Sequence, residues 1–229
     1  MGLNVGVLPS YLESGMLKEK IIKMGANEVG FGDVSVGIAP ELSHMPFAIA
    51  LAIKHPPVQA YPYTHFSLAI DRHLLEIQRI VARGIRRQGW RALSIPPDSC
   101  RHDSTYISRI LNLFPHKTAA TCAGLGWIGK SGLLISTRFG PRLSWATILT
   151  NAPLQLDAAP IKKSFCGSCC CCVEACPANA IKNDDWEYGT NYRTMIDVDR
   201  CAAELEKNNE RYGQYACGIC MLVCPHGVK

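Results

Sequence analysis

Long apolar runs are missing from this 229-residue chain. The longest, Phe47 to Ile53, falls far short of the roughly 20 residues that cross a bilayer, so no membrane span is expected. The N-terminal stretch MGLNVGVLPSYLESGMLKEK has no basic segment followed by an apolar one, and no twin-Arg pair. Without an export signal the chain reads as cytoplasmic. The part before the cysteines shows no internal repeat, and the chain has no low-complexity tract. Charge is sparse: 19% of residues are charged against 48% hydrophobic, so the chain can bury a core and is not disordered. The formal net charge of +5 is weak evidence for an anionic partner.

What the chain has instead is cysteine. Ten of its 12 cysteines fall at or after Cys166. A disulfide scaffold would need an export signal, so clustered thiols here point to metal or redox chemistry. Charge divides with them. Residues 1–158 hold 16 basic and 10 acidic residues, and residues 159–229 hold 8 and 9. The Pro-flanked segment Asn151 to Pro160 marks a boundary, giving expected domains 1–158 and 159–229.

The first part reads as mixed α/β. Ser14 to Gly25 predicts a short helix, and Phe47 to Ile53 a buried strand. Phe66, Ile70, Leu74, Ile77, Val81 and Ile85 recur at helical spacing and mark a long amphipathic helix ending near Gly89. Arg79, Arg83, Arg86 and Arg87 then form its solvated face rather than a nucleic-acid patch. Arg91 to Ile95, Gly132 to Thr137 and Leu143 to Thr150 read as strands, the last two joined by a turn at Gly140-Pro141.

Cys166, Cys169, Cys172 and Cys176-Pro177 fit C-x2-C-x2-C-x3-C-P, the bacterial ferredoxin spacing for a [4Fe-4S] cubane. Three thiolates on one loop serve one cluster, and the fourth serves the other. Downstream, Cys217, Cys220 and Cys224-Pro225 repeat the pattern with its first Cys displaced, and Cys201 can fill that place. Pseudo-two-fold symmetry assigns Cys166, Cys169, Cys172 and Cys224 to cluster 1. It assigns Cys176, Cys201, Cys217 and Cys220 to cluster 2. Zinc is the competing reading of C-x2-C pairs. Cys170 and Cys171 are surplus to the ligand set, and Cys100 and Cys122 read as inert core residues.

Gly124 to Ser131, GLGWIGKS, matches both dinucleotide and phosphate-loop spacings. Those motifs need a strand before and a helix after; here a helix-like segment precedes and a strand-like one follows. Nucleotide hydrolysis is therefore not expected. A Gly-rich structural turn, or a loop that lets backbone approach a large cofactor, remain as readings.

The segment Ala123-Gly-Leu-Gly-Trp-Ile-Gly-Lys130, followed by LLIS, ILTNAPL, CGSCCCCVEACPANAI, DRCAAELE and CGICMLVCP, resembles the epoxyqueuosine reductases and their relatives, the reductive dehalogenases. The resemblance implies a nitroreductase-like α/β domain that binds cobalamin, followed by a ferredoxin-like double [4Fe-4S] domain. It implies Gly124, Gly126, Trp127, Gly129 and Lys130 as cofactor contacts. It implies an iron–sulfur oxidoreductase that takes electrons from a low-potential donor and passes them to a corrinoid, a corrinoid protein or a small-molecule substrate. A ferredoxin-type electron-transfer protein without substrate chemistry is the alternative, and a flavin is the alternative cofactor. Two departures stand out. Where the family has an acidic proton donor, this sequence has Ile110 to Leu113, with Asp103 the nearest upstream carboxylate. That leaves Tyr106, His116 and Lys117 as catalytic candidates. The helical repeats that follow the clusters in the tRNA-modifying enzymes are also not in this sequence, which speaks against tRNA as the partner.

Overall fold

In the computed structural model, residues 14–56, 68–97, 114–156 and 158–227 are described. Phe66, Cys100, Asp103, Tyr106 and residues 110–113 lie outside them. Helix α1 spans Ser14–Lys23 and α2 spans Leu68–Arg87. A four-stranded sheet is ordered β1 (Glu28–Asp33), β2 (Phe47–Lys54), β6 (Leu143–Thr150), β3 (Ala92–Ile95), with every neighbour antiparallel. Helix α3 covers His116–Cys122, and strands β4 (Gly126–Ile128) and β5 (Leu134–Ser136) form a separate hairpin. No described helix is long and apolar enough to cross a membrane.

The central strands are apolar on both faces because both faces are covered. Residues alternate along a strand, and β2 uses that alternation to sort by size. Ile49 and Leu51 pack with Ile148 against Ile21 of α1 and Leu74, Ile77, Val81 and Ile85 of α2. Ala48, Ala50 and Ala52 face the other way and pack with Ala119 and Ala120 of α3. Small residues let α3 approach closely. A Cβ on Gly32 would lie 2.7 Å from the backbone nitrogen of Ala123. Arg79, Arg83, Arg86 and Arg87 of α2 are exposed on its far side, as its period predicts. Buried Gln78 locks the helix down by donating to the carbonyls of Ile95 and Thr147, 2.7 Å each. Leu74 is fully buried, so Leu74→Ala is expected to cost about 2–5 kcal/mol. Chemical denaturation of the purified chain measures it.

The segment Asn151 to Pro160 is tied down rather than free. Ala152 and Leu154 join the α2-side core, and Gln155 N–H donates to Ser14 Oγ at 2.9 Å. Beyond it the cluster-binding part carries four helices. They are α4 (Cys171–Glu174), α5 (Tyr192–Met195), α6 (Val198–Tyr212) and α7 (Ile219–Leu222). Hairpin β4–β5 belongs to both parts. Its Trp127 and Ile135 pack with Trp186, Met195, Cys166 and Cys224.

Candidate iron–sulfur centre

The two Cys loops are built alike. Each opens Cys-Gly, and the glycines Gly167 and Gly218 take left-handed backbones, φ 55° and 72°. A side chain there would be strained, and the turn wraps the next Cys back toward the first. Each loop then enters a single helical turn that ends before Cys-Pro: α4 carries Cys171 and Cys172, and α7 carries Cys220. Cys201 comes from elsewhere. It sits in the first turn of α6, whose start is capped by Asp197 accepting from Arg200 N–H at 3.1 Å. Buried Asn208 returns the helix to the second loop by donating to Ala216 O at 2.8 Å.

The sulfurs fall into two groups. Cys172 is surrounded by Cys166, Cys224 and Cys169. Cys201 faces Cys176 and Cys217, and Cys220 faces Cys217, Cys201 and Cys176. Cys220 also feels Cys172, ahead of Cys201 and Cys176, and borders the first group's cavity, so the groups are adjacent. Burial, then neighbouring thiols, pushes Cys172 up to about 11 and Cys220 up to about 12. Burial raises Cys201 and Cys224 too, the latter opposed by a hydrogen bond from the His226 backbone. Metal ligation needs the thiolate, so these groups hold protons until a cationic core displaces them.

That has a sign. A thiol whose folded value lies above its unfolded one stabilises the fold below the unfolded value and loses that contribution as pH rises. The cluster-free chain is therefore expected to lose thermal stability as pH rises from about 9 toward 12. Cluster loading is expected to improve with pH over the same thiols. Melting curves of the apo chain across pH, beside iron content after loading, check both.

The Gly-rich motif is spent on this centre. A Cβ on Gly126 would collide with Ile135 O across the β4–β5 hairpin, and one on Gly124 would lie 2.7 Å from Ala158 Cβ. A Cβ on Gly129 would sit 3.4 Å from Cys166 Sγ. Trp127 is buried, with Phe165 and His226 edge-on at 5.3 and 4.9 Å. Lys130, 5% exposed, donates from Nζ to Gly167 O at 2.9 Å and Asn183 Oδ1 at 3.0 Å. The motif thus forms the wall on which the first Cys loop rests. Neither reading from sequence anticipated that Gly126 to Ile128 is itself a strand.

The catalytic candidates stand apart. His116 is buried in α3. Its Nε2 donates to Pro96 O and its Nδ1 accepts from Thr147 Oγ1, 2.9 Å each, which fixes the tautomer. Lys117 Nζ donates to Gly132 O at 2.6 Å. Tyr106 lies outside the described residues. His116 and Lys117 border a cavity of about 220 Å³, whose walls also include Leu133, Trp145 and Met221. Leu133 and Met221 separate it from the thiols of Cys176, Cys201, Cys217 and Cys220. Cys122 is a buried core thiol, as expected.

Residues 165–227 match the family described as the 4Fe-4S double cluster binding domain. The epoxyqueuosine reductase of Leadbetterella byssophila is 36% identical over 111 residues, 48% of this chain and 36% of that protein. That of Synechococcus sp. (strain RCC307) is 35% identical over 158 residues, 66% of this chain and 45% of that protein. This chain spans less than half the length of these two relatives. An epoxyqueuosine reductase solved with a tRNA stem loop superposes with a TM-score of 0.64 at 20% identity, over 92% of this chain and 64% of that one. A reductive dehalogenase whose structure suggests a mechanism for B12-dependent dehalogenation superposes at 0.62 and 22%, over 98% and 33%. By sequence the chain is a relative of the epoxyqueuosine reductases, with the mixed α/β fold of that group and a double [4Fe-4S] cluster-binding domain.

Proposed function

We propose that this chain is an iron–sulfur reductase with two [4Fe-4S] clusters. Cys166, Cys169, Cys172 and Cys224 hold one, and Cys176, Cys201, Cys217 and Cys220 hold the other. What supports this reading is that Cys166, Cys169, Cys172 and Cys224 line one cavity and Cys176, Cys201 and Cys217 another, with Cys220 bordering both. Loaded, such clusters exchange single electrons at low potential. The chain's own residues then position and insulate them. Residues 159–229 supply the ligands, and residues 1–158 supply the wall of Gly129 and Lys130 and the neighbouring cavity.

The acceptor is a corrinoid that meets the cavity beside Trp145 and Met221, two of whose wall residues, Leu133 and Met221, also face the second set of thiols. The B12-dependent structural neighbour supports this reading. The cavity's walls mix apolar Leu133, Leu134, Trp145 and Met221 with Asp71, His116, Lys117 and Ser144, and its volume falls below the roughly 300–1,000 Å³ of an enclosing cofactor pocket, so it would take only part of a corrinoid. Electrons come from a low-potential donor. The tRNA stem loop bound by one neighbour makes epoxyqueuosine-modified tRNA the second substrate to assay.

The bonding of His116 and Lys117 into the scaffold favours an alternative, a ferredoxin-type carrier with no substrate chemistry of its own. Anaerobic loading with iron and sulfide, reduction with dithionite and addition of cobalamin separates these readings. The reductase predicts about eight irons and a change in the cobalamin spectrum upon mixing. Eight irons without that change leaves the carrier. A visible spectrum retained after iron removal would instead reveal a flavin.

A further inference from the structure

The first Cys loop carries two thiols more than its ligand pattern uses, and the structure treats them differently. Cys170 donates from Sγ to Glu174 Oε1 at 2.8 Å across one helical turn. Cys171 is the more exposed of the two, yet it borders the cluster cavity. It lines the same cavity as Cys166, Cys169, Cys172 and Cys224, with the Cys169 thiol beside it. Cys220 borders the cavity as well; with Cys220 given to the second cluster, five thiols remain where a cubane takes four.

The two neighbours also differ in backbone. Cys171 is the first residue of α4, immediately before Cys172, so its Cα is fixed by the same helical turn that presents Cys172. Cys169 lies in the preceding turn, held by its N–H to Cys166 O at 3.1 Å. Cys171 is exposed, so no buried packing restricts its side-chain rotation.

We propose that Cys171 is a reserve ligand of the cluster held by Cys166, Cys172 and Cys224, able to take the coordination position of Cys169. This rests on the two-cluster reading above. The exchange balances without a redox partner. One iron–sulfur bond to Cys169 breaks as one to Cys171 forms, and the proton of the Cys171 thiol passes to the departing Cys169 thiolate. Net charge and electron count are unchanged. Modification of Cys169 then leaves the cluster a fourth thiolate within the same loop.

The test loads the full chain anaerobically with iron and sulfide and measures bound iron and the electron paramagnetic resonance of the reduced protein. Cys169→Ala is expected to retain the iron of the parent with an altered cluster signal. Cys169→Ala combined with Cys171→Ala is expected to lose about half of it, one cluster of two. Cys169→Ala combined with Cys170→Ala is expected to match Cys169→Ala alone, which assigns the effect to Cys171. Equal iron in Cys169→Ala and its Cys171→Ala double variant overturns the proposal. So does a Cys169→Ala, Cys170→Ala variant that falls to the level of that double. Should the parent chain itself fail to load two clusters, the two-cluster reading fails instead, and the outcomes are distinguishable.

Discussion

Cys224→Ala is expected to remove the cluster whose other three ligands lie more than fifty residues earlier in the chain, and to leave the cluster of its own loop intact. A reading by sequence proximity predicts the opposite, a loss at Cys217 and Cys220. The structure sets Cys224 beside Cys166, Cys169 and Cys172, because the one-turn helix α7 presents Cys220 on one side and releases the chain before Cys224 on the other. Loss of one thiolate from a four-ligand cluster removes about half of the total iron. Cys166→Ala is expected to produce the same loss, and the Cys166→Ala, Cys224→Ala pair no more than either alone. Cys201→Ala with Cys224→Ala is expected to remove nearly all iron. Residues that serve one site are non-additive, whereas independent sites add. Iron and sulfide analysis across these four variants decides the ligation. Additive losses for Cys166 and Cys224 would dismiss the crossed assignment.

The Cys groups that a crossed ligation needs were legible in the sequence, because cluster ligands come at fixed spacings. Cys-Gly at 166–167 and 217–218 encodes two left-handed turns, and Cys-Pro at 176–177 and 224–225 encodes two chain reversals. The long helix was equally plain, since Leu74, Ile77, Val81 and Ile85 repeat one face for about three turns. The role of Gly124 to Lys130 was not legible. Its spacing fits a phosphate loop, but each glycine answers to a partner remote in sequence: Ile135 across a hairpin, Ala158 in the connecting segment, Cys166 in the next domain. Steric demands of that kind leave no local period. His116 and Lys117 were candidates by side-chain chemistry, and only the fold reveals that Pro96, Thr147 and Gly132 occupy their polar atoms.

Lys130→Met is expected to destabilise the Cys166 cluster and to lower its reduction potential, with the fold retained. The substitution keeps most of the apolar stem that fills the buried site and removes the two bonds that hold Gly167 and Asn183. A hydrogen bond to a charged group contributes about 1.5–3 kcal/mol. Gly167 and Asn183 are exposed and can turn to water, so the loss stays near that range instead of growing into an unsatisfied-burial penalty. Its effect concentrates on the loop, because Gly167 is the left-handed residue that positions Cys166. Faster loss of one cluster under a chelator is the expected kinetic sign. The electrostatic sign is separate. Lys130 lines the cluster cavity, and a unit charge at about 10 Å under an effective dielectric of about 20 is worth about 1.7 kcal/mol. For one electron that is about 70 mV. A cation stabilises the more negative, reduced state, so its removal lowers the potential of this cluster and leaves the other nearer its parent value. Lys130→Arg is expected to restore the potential while only partly restoring the chelator lifetime, since the planar fork cannot reproduce the lysine's point contact on Gly167 O. A redox titration in which Lys130→Met shifts neither midpoint would deny the lysine this electrostatic role, whatever happens to the lifetime of the cluster.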